Sequence, residues 1–126
     1  MIRAESQATP YLTRLTNGKH AVAVDSPQEK GGQGEGLRPH ELLEAALAGC
    51  ISLTVRAYAD RREIPLESLD VIVRLDRSDP DEAVFSYELQ FKGELTDDQR
   101  DKLKQVARAC KVSKTLQRKL SFVPSV

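Results

Sequence analysis

The spacing of apolar and polar positions along the chain changes character from segment to segment, and each change marks an element. From Tyr11 to Val24 the pattern reads as two short strands around Asn17-Gly18, with His20, Val22 and Val24 on one side of the second strand and Ala21 and Ala23 on the other. Asn-Gly supplies the positive φ angles of a type I′ turn, which predicts a tight hairpin. Gly31-Gly32-Gln33-Gly34-Glu35-Gly36 comes next. No Lys-Ser/Thr pair follows these glycines, and they do not lead directly from a strand into a helix. They therefore read as a mobile connection rather than a phosphate cradle.

Pro39 opens a helix, since its missing N–H is not needed at the first helical position, and Glu41 and Glu44 complement the positive end of the helix dipole. Leu43, Leu47, Cys50, Leu53 or Thr54, and Ala57 recur at three- and four-residue steps and predict one apolar stripe. No breaker appears before Pro65. A helix from Pro39 to about Arg62 is roughly 36 Å long at 1.5 Å per residue, which predicts a central, heavily buried element.

Period two returns in Asp70–Asp76, where Val71, Val73 and Leu75 alternate with Ile72 and Arg74. It returns again in Ala83–Lys92, where Phe85, Tyr87, Leu89 and Phe91 alternate with Ser86, Glu88 and Gln90. Ser78-Asp79-Pro80-Asp81 is turn chemistry between them, and one apolar face per strand predicts a sheet lying on the helix. Thr96 and Gln99 have capping-box spacing, and the helix they start carries Leu103, Val106, Ala107 and Cys110 on one face. Ser113 is placed to cap a short helix from Lys114 to Leu120, and Ser121–Pro124 to add an edge strand. Strands, a long helix, strands and then helices make an α+β pattern in a single domain, 1–126, rather than a parallel α/β alternation.

Composition narrows the function classes. Of 126 residues, 40% are hydrophobic and 30% charged, the balance of a globular chain. Nineteen basic and nineteen acidic residues cancel, so the net charge predicts no nucleic-acid partner and no anionic membrane surface. Met1-Ile2-Arg3-Ala4-Glu5-Ser6 has no apolar core of a secretory signal, and no apolar run approaches the roughly 20 residues that span a bilayer, so the expected location is the cytoplasm.

In that reducing compartment Cys50 and Cys110 are either inert core residues or a redox pair. Both fall on core-facing positions of their helices. A buried thiol is unreactive unless its thiolate is favoured, and mid-helix Cys50 gains nothing from its own helix N-terminus, so a cation is needed. Arg14, Arg38 and Arg56 are the candidates, with Glu41 the best carboxylate to hold a guanidinium by a bidentate pair. His20 and His40 lack zinc-ligand spacing with either cysteine, so no metal is expected. Tyr11, Phe85, Tyr87 and Phe91 are candidates for lining an apolar pocket, against the plainer reading of sheet core.

The run Pro39-His-Glu-Leu-Leu-Glu-Ala-Ala-Leu-Ala-Gly-Cys50, together with Cys110-Lys-Val-Ser-Lys-Thr-Leu116, resembles the OsmC/Ohr family (osmotically inducible protein C and organic hydroperoxide resistance proteins). The approach Val24-Asp-Ser-Pro-Gln-Glu-Lys-Gly-Gly32 is similar as well, so the resemblance covers nearly the whole chain. It implies an α+β subunit with antiparallel sheets around a long central helix, in an intertwined homodimer with two interfacial sites. It also implies reduction of organic hydroperoxides or hydrogen peroxide without a cofactor. By position, Cys50 matches the peroxidatic cysteine, Cys110 the resolving one, and Arg14 the activating arginine of the hydroperoxide-reductase branch. An external dithiol would reset the disulfide. That branch has a glutamate directly after the helix-opening proline, where this chain has His40 and places Glu41 one residue later. Either Glu41 takes over the clamp, or the clamp is changed, peroxidase activity is weaker or differently directed, and Glu41 is a helix-dipole residue. The rival to a peroxidase is a non-catalytic OsmC-like protein that binds a small hydrophobic ligand or senses oxidants.

Overall fold

The computed structural model describes residues 1–125, which form two compact units, one ending at Leu43 and one beginning at Glu44. The first holds a three-stranded antiparallel sheet of β1 (Arg3–Ser6), β2 (Thr13–Thr16) and β3 (Ala21–Val24), in that order. Glu5 lies opposite Arg14, and Arg14 opposite Ala23. The hairpin is present, but its turn differs from the one expected. Thr16 pairs with Ala21, so residues 17–20 form the loop, and only Gly18 has a positive φ, at 97°. Asn17 instead uses its side chain, with Oδ1 accepting the N–H groups of Lys19 and His20 at 2.9 and 2.8 Å. An asparagine that satisfies backbone donors in this way favours an Asx-type loop over a two-residue turn.

The glycine-rich stretch, expected to be a mobile connection, is organised around one carboxylate. Asp25 is only 3% exposed. Its Oδ1 accepts the Ser26 N–H at 2.8 Å, and its Oδ2 those of Gln33 at 3.2 Å and Glu35 at 3.1 Å. The Gly34 N–H closes onto the Ser26 carbonyl at 3.1 Å. A Cβ on Gly32 would stand 2.0 Å from the Ser26 carbonyl oxygen, so the chain passes itself where only glycine fits. The Glu35 N–H bond holds Asp25 below the ordinary carboxylate range, against burial that pushes it up, and the Gln33, Ser26 and Gly34 amides add to the lowering.

Helix α1 runs Pro39–Arg61, within a residue of its expected end. Its buried stripe is Leu47, Ile51, Val55 and Ala59, at steps of four. Leu53 is 73% exposed and Leu43 41%. The predicted stripe therefore mixed two faces: one is core, while Ala46, Gly49, Leu53 and Ala57 face outward. The helix is central but not wrapped by the single chain.

The second unit continues with β4 (Ser68–Asp79) and β5 (Glu82–Lys92), an antiparallel pair in which Leu69 faces Phe91 and Val71 faces Leu89. Leu69, Val71, Val73, Phe85, Leu89 and Phe91 pack on the buried cluster of Leu47, Ile51, Val55, Ala59, Leu66, Leu103, Ala107 and Cys110. Phe85 and Phe91 are thus core, whereas Tyr87 and Tyr11 are exposed. Helix α2 (Asp97–Ala107) begins with the expected capping box: the Gln99 N–H donates to Thr96 Oγ1 at 3.1 Å and the Thr96 N–H to Gln99 Oε1 at 3.0 Å. Helix α3 spans Lys111–Leu116, three residues ahead of the expected start, with Cys110 as its N-cap. Residues 121–125 belong to no strand, which removes the expected edge strand.

By length and composition alone α1 could cross a membrane, contrary to the reading of its apolar run. Its polar side chains bond within the protein: Glu44 Oε2 accepts the Leu75 N–H at 3.3 Å, and Arg56 donates to the Leu66 carbonyl at 2.9 Å. With Leu47, Ile51, Val55 and Ala59 buried, it is a core helix.

Candidate active site

Three local features bring chemistry together in the second unit. Cys50 sits on α1 at the border between its buried stripe and its exposed one, and is half-buried. The turn between α2 and α3 places Cys110, fully buried, beside it. The first turn of α3 supplies backbone donors with no partner inside their own helix, the usual condition of a helix N-terminus.

Both cysteines are free thiols, and they are near enough that each shifts the other's acidity. Burial pushes the Cys50 thiol up. It is outweighed by the hydrogen bond from Cys110, by the Val112 and Lys111 N–H groups aimed at the sulfur, and by the Thr54 hydroxyl, so that Cys50 lies below the usual thiol range. Cys110 moves the other way: burial raises it, as do its bond to Cys50 and the charge that would form there. The pair therefore holds one proton readily and two less so, with the negative charge on Cys50 and the proton on Cys110. The Thr54 hydroxyl has a single proton, and it donates to the Cys50 carbonyl at 2.8 Å. It strengthens the thiolate only when it turns from that carbonyl to the sulfur.

The expected source of activation was a cation. Mid-helix Cys50 gains nothing from its own helix N-terminus, but it receives the free amides of α3. Sequence reading missed this because it started α3 at Lys114 rather than at Lys111. Arg56 is committed elsewhere: it donates to the Leu66 and Glu67 carbonyls at 2.9 and 3.3 Å and pairs with Asp60 at 3.4 Å. Arg14 pairs with its cross-strand neighbour Glu5 at 3.4 Å, both half-exposed. Glu41 turns back on its own helix, its Oε1 accepting the Arg38 N–H at 2.9 Å. The expected Arg14–Glu41 ion pair is thus absent from this conformation, and Glu41 serves here as a helix-start acceptor. Among the described residues no three His, Cys, Asp or Glu side chains converge to hold a metal ion, and His20 and His40 are exposed.

A helix-borne thiol, a buried second thiol and a turn of amides on an α+β scaffold define a protein with a paired-cysteine site. The family model described as OsmC-like protein matches residues 32–124, and the chain belongs to that family. Solved structures agree in fold. The OsmC-like protein of Mycoplasma pneumoniae superposes with a TM-score of 0.78 at 18% identity, over 93% of this chain and 86% of that one. An organic hydroperoxide resistance protein OsmC from Legionella pneumophila gives 0.65 at 22% identity, over 93% and 88%. The organic hydroperoxide resistance protein OhrB of Bacillus subtilis gives 0.64 at 18%, over 93% and 89%. No curated protein matches in sequence.

Proposed function

We propose that this chain is a thiol peroxidase of the organic hydroperoxide class, with Cys50 as the peroxidatic and Cys110 as the resolving cysteine. The observation that carries the reading is the pairing of half-buried Cys50 on α1 with buried Cys110 at the N-cap of α3, each shifting the other so that the charge is favoured on Cys50 and the proton on Cys110. The Cys50 thiolate attacks the distal peroxide oxygen, the O–O bond breaks, and the leaving alkoxide takes a proton to become the alcohol. Cys50 is then a sulfenic acid. The Cys110 sulfur attacks it, water leaves, and a Cys50–Cys110 disulfide remains. An external dithiol reduces that disulfide by exchange and becomes a disulfide itself. No step calls for a metal or organic cofactor, and hydrogen peroxide is the lesser substrate, giving water.

Arg14 and Glu41 enter as second-line residues. On peroxide binding Arg14 would leave Glu5 to orient the peroxide, with Glu41 as its alternative carboxylate. The outward stripe of Ala46, Gly49, Leu53 and Ala57 borders Cys50 and supports a homodimer in which a second copy covers it. A reducing cytoplasm suits the free thiols.

The test is cumene hydroperoxide consumption with dithiothreitol as reductant. Wild type turns over and Cys50→Ser loses ~10³-fold or more; in a single turnover without reductant, Cys110→Ser is left with Cys50 as a sulfenic acid where wild type forms the disulfide. Equal turnover by Cys50→Ser would sink the assignment.

A further inference from the structure

A net charge of zero conceals a polarised chain. Seven of the nineteen basic side chains fall between Lys102 and Lys119, and none of the nineteen acidic ones does. Lys102 is paired with Asp98 at 3.1 Å. Lys104, Arg108, Lys111, Lys114, Arg118 and Lys119 are exposed and, among the described residues, have no ion pair. Lys111 and Lys114, three apart, share a face of α3. The patch adjoins the sulfur pair: Lys111 follows Cys110 directly, and its backbone N–H is aimed at Cys50 while its side chain reaches solvent.

The geometry points to this basic surface of α2 and α3 as the docking site for an acidic protein that carries the reducing dithiol. The assignment rests on the peroxidase reading, which creates the need for a dithiol at this sulfur pair. Like-signed charge around the site raises the encounter rate of an oppositely charged partner and weakens with salt. Nucleic acid fits less well. Single strands are held by aromatic side chains interleaved with the basic ones, and no aromatic lies between Phe91 and Phe122. In the docked complex one partner thiolate attacks a sulfur of the Cys50–Cys110 disulfide and forms a mixed disulfide. The partner's second thiol then displaces it. The partner leaves oxidised, and two electrons and two protons restore both thiols.

The probes are three synthetic dithiol peptides of one Cys-Gly-Pro-Cys core, flanked by glutamates, serines or lysines, with dithiothreitol as a neutral reference. The disulfide is prepared with diamide, so the assay runs even if peroxide fails to form it; such a failure would count against the peroxidase reading alone. At ~20 mM ionic strength the glutamate peptide should reduce the disulfide about tenfold or more faster than the lysine peptide, and ~0.5 M NaCl should erase most of that ratio. In Lys104→Glu/Lys114→Glu/Arg118→Glu the ratio should invert. It is read within each variant, so a general loss of reactivity does not mimic it. A ratio near one in wild type at low salt would overturn the proposal. So would retention of a random-sequence DNA duplex at ~150 mM NaCl combined with charge-blind reduction, which would assign the patch to phosphate.

Discussion

Two places in this molecule aim backbone amides at an acidic side chain, and they do opposite things with it. In the Asp25 loop, the Ser26, Gln33 and Glu35 N–H groups close on a buried carboxylate that is ionised at any physiological pH. At the cysteine pair, the Lys111 and Val112 N–H groups close on a half-buried thiol that ordinarily stays protonated. The first cradle is structural: the charge does not change at physiological pH, so its bonds fix the path of a glycine-rich chain. Under the proposed function the second is chemical: its bonds favour the ionised form of a thiol that is ordinarily protonated, and a second thiol adds to them. What distinguishes a pin from a nucleophile is the intrinsic acidity and exposure of the acceptor, since the donors are alike.

Breaking each cradle should separate these roles. The largest effect is expected at Gly32→Ala, where the new Cβ meets the Ser26 carbonyl oxygen and the backbone must shift. The cost should be about 1–3 kcal/mol, visible as a lowered thermal midpoint. An unchanged midpoint would mean that the loop is not pinned. Asp25→Asn tests the same pin through pH. The folded-state pKa of Asp25 is depressed, so its stabilisation is present above the ordinary carboxylate range and lost as pH falls through the lowered value. Wild type should lose this part of its stability only in acid, whereas the asparagine variant lacks it at neutral pH and shows a flatter acid profile in denaturant titrations.

At the other cradle, Cys110→Ala removes the donor next in importance after burial. The pH of half-maximal iodoacetamide labelling of Cys50 should rise, with little change in the pH dependence of folding stability near neutrality. Thr54→Val should move labelling in the same direction but least of all, because that hydroxyl already donates to the Cys50 carbonyl. A larger effect from Thr54→Val than from Cys110→Ala would reverse the order of these contacts.

Where periodicity was long, the sequence was readable. Residues 39–61 and the pair β4–β5 carry enough repeats to set type, although β4 runs from Ser68 to Asp79, beyond the alternating Asp70–Asp76 and into the expected turn, and the Thr96/Gln99 box marked its helix start to the residue. Arg3–Ser6 carries no apolar alternation, so β1 gave no local signal; its pairing with β2 defines it. The stripe on α1 was misassigned because the helix is apolar on two sides, and periodicity alone does not say which side one chain covers. The order in the glycine segment depends on one carboxylate reaching eight and ten residues ahead, a range no local pattern reports. The resemblance singled out both cysteines. What aims donors at Cys50 was not, since it depends on where a six-residue helix begins. Likewise, cancellation in the total charge hid the basic run after Asp101.

The central claim is that Cys50 and Cys110 act as one redox unit with Cys50 first to react. The direct measurement is a count of free thiols, with intact mass, after one equivalent of cumene hydroperoxide is added to the reduced protein. Wild type should lose both thiols and two hydrogens per chain, and Cys50→Ser should keep its remaining thiol. Wild type that retains its thiols, or Cys50→Ser that loses its thiol equally fast, would contradict the account.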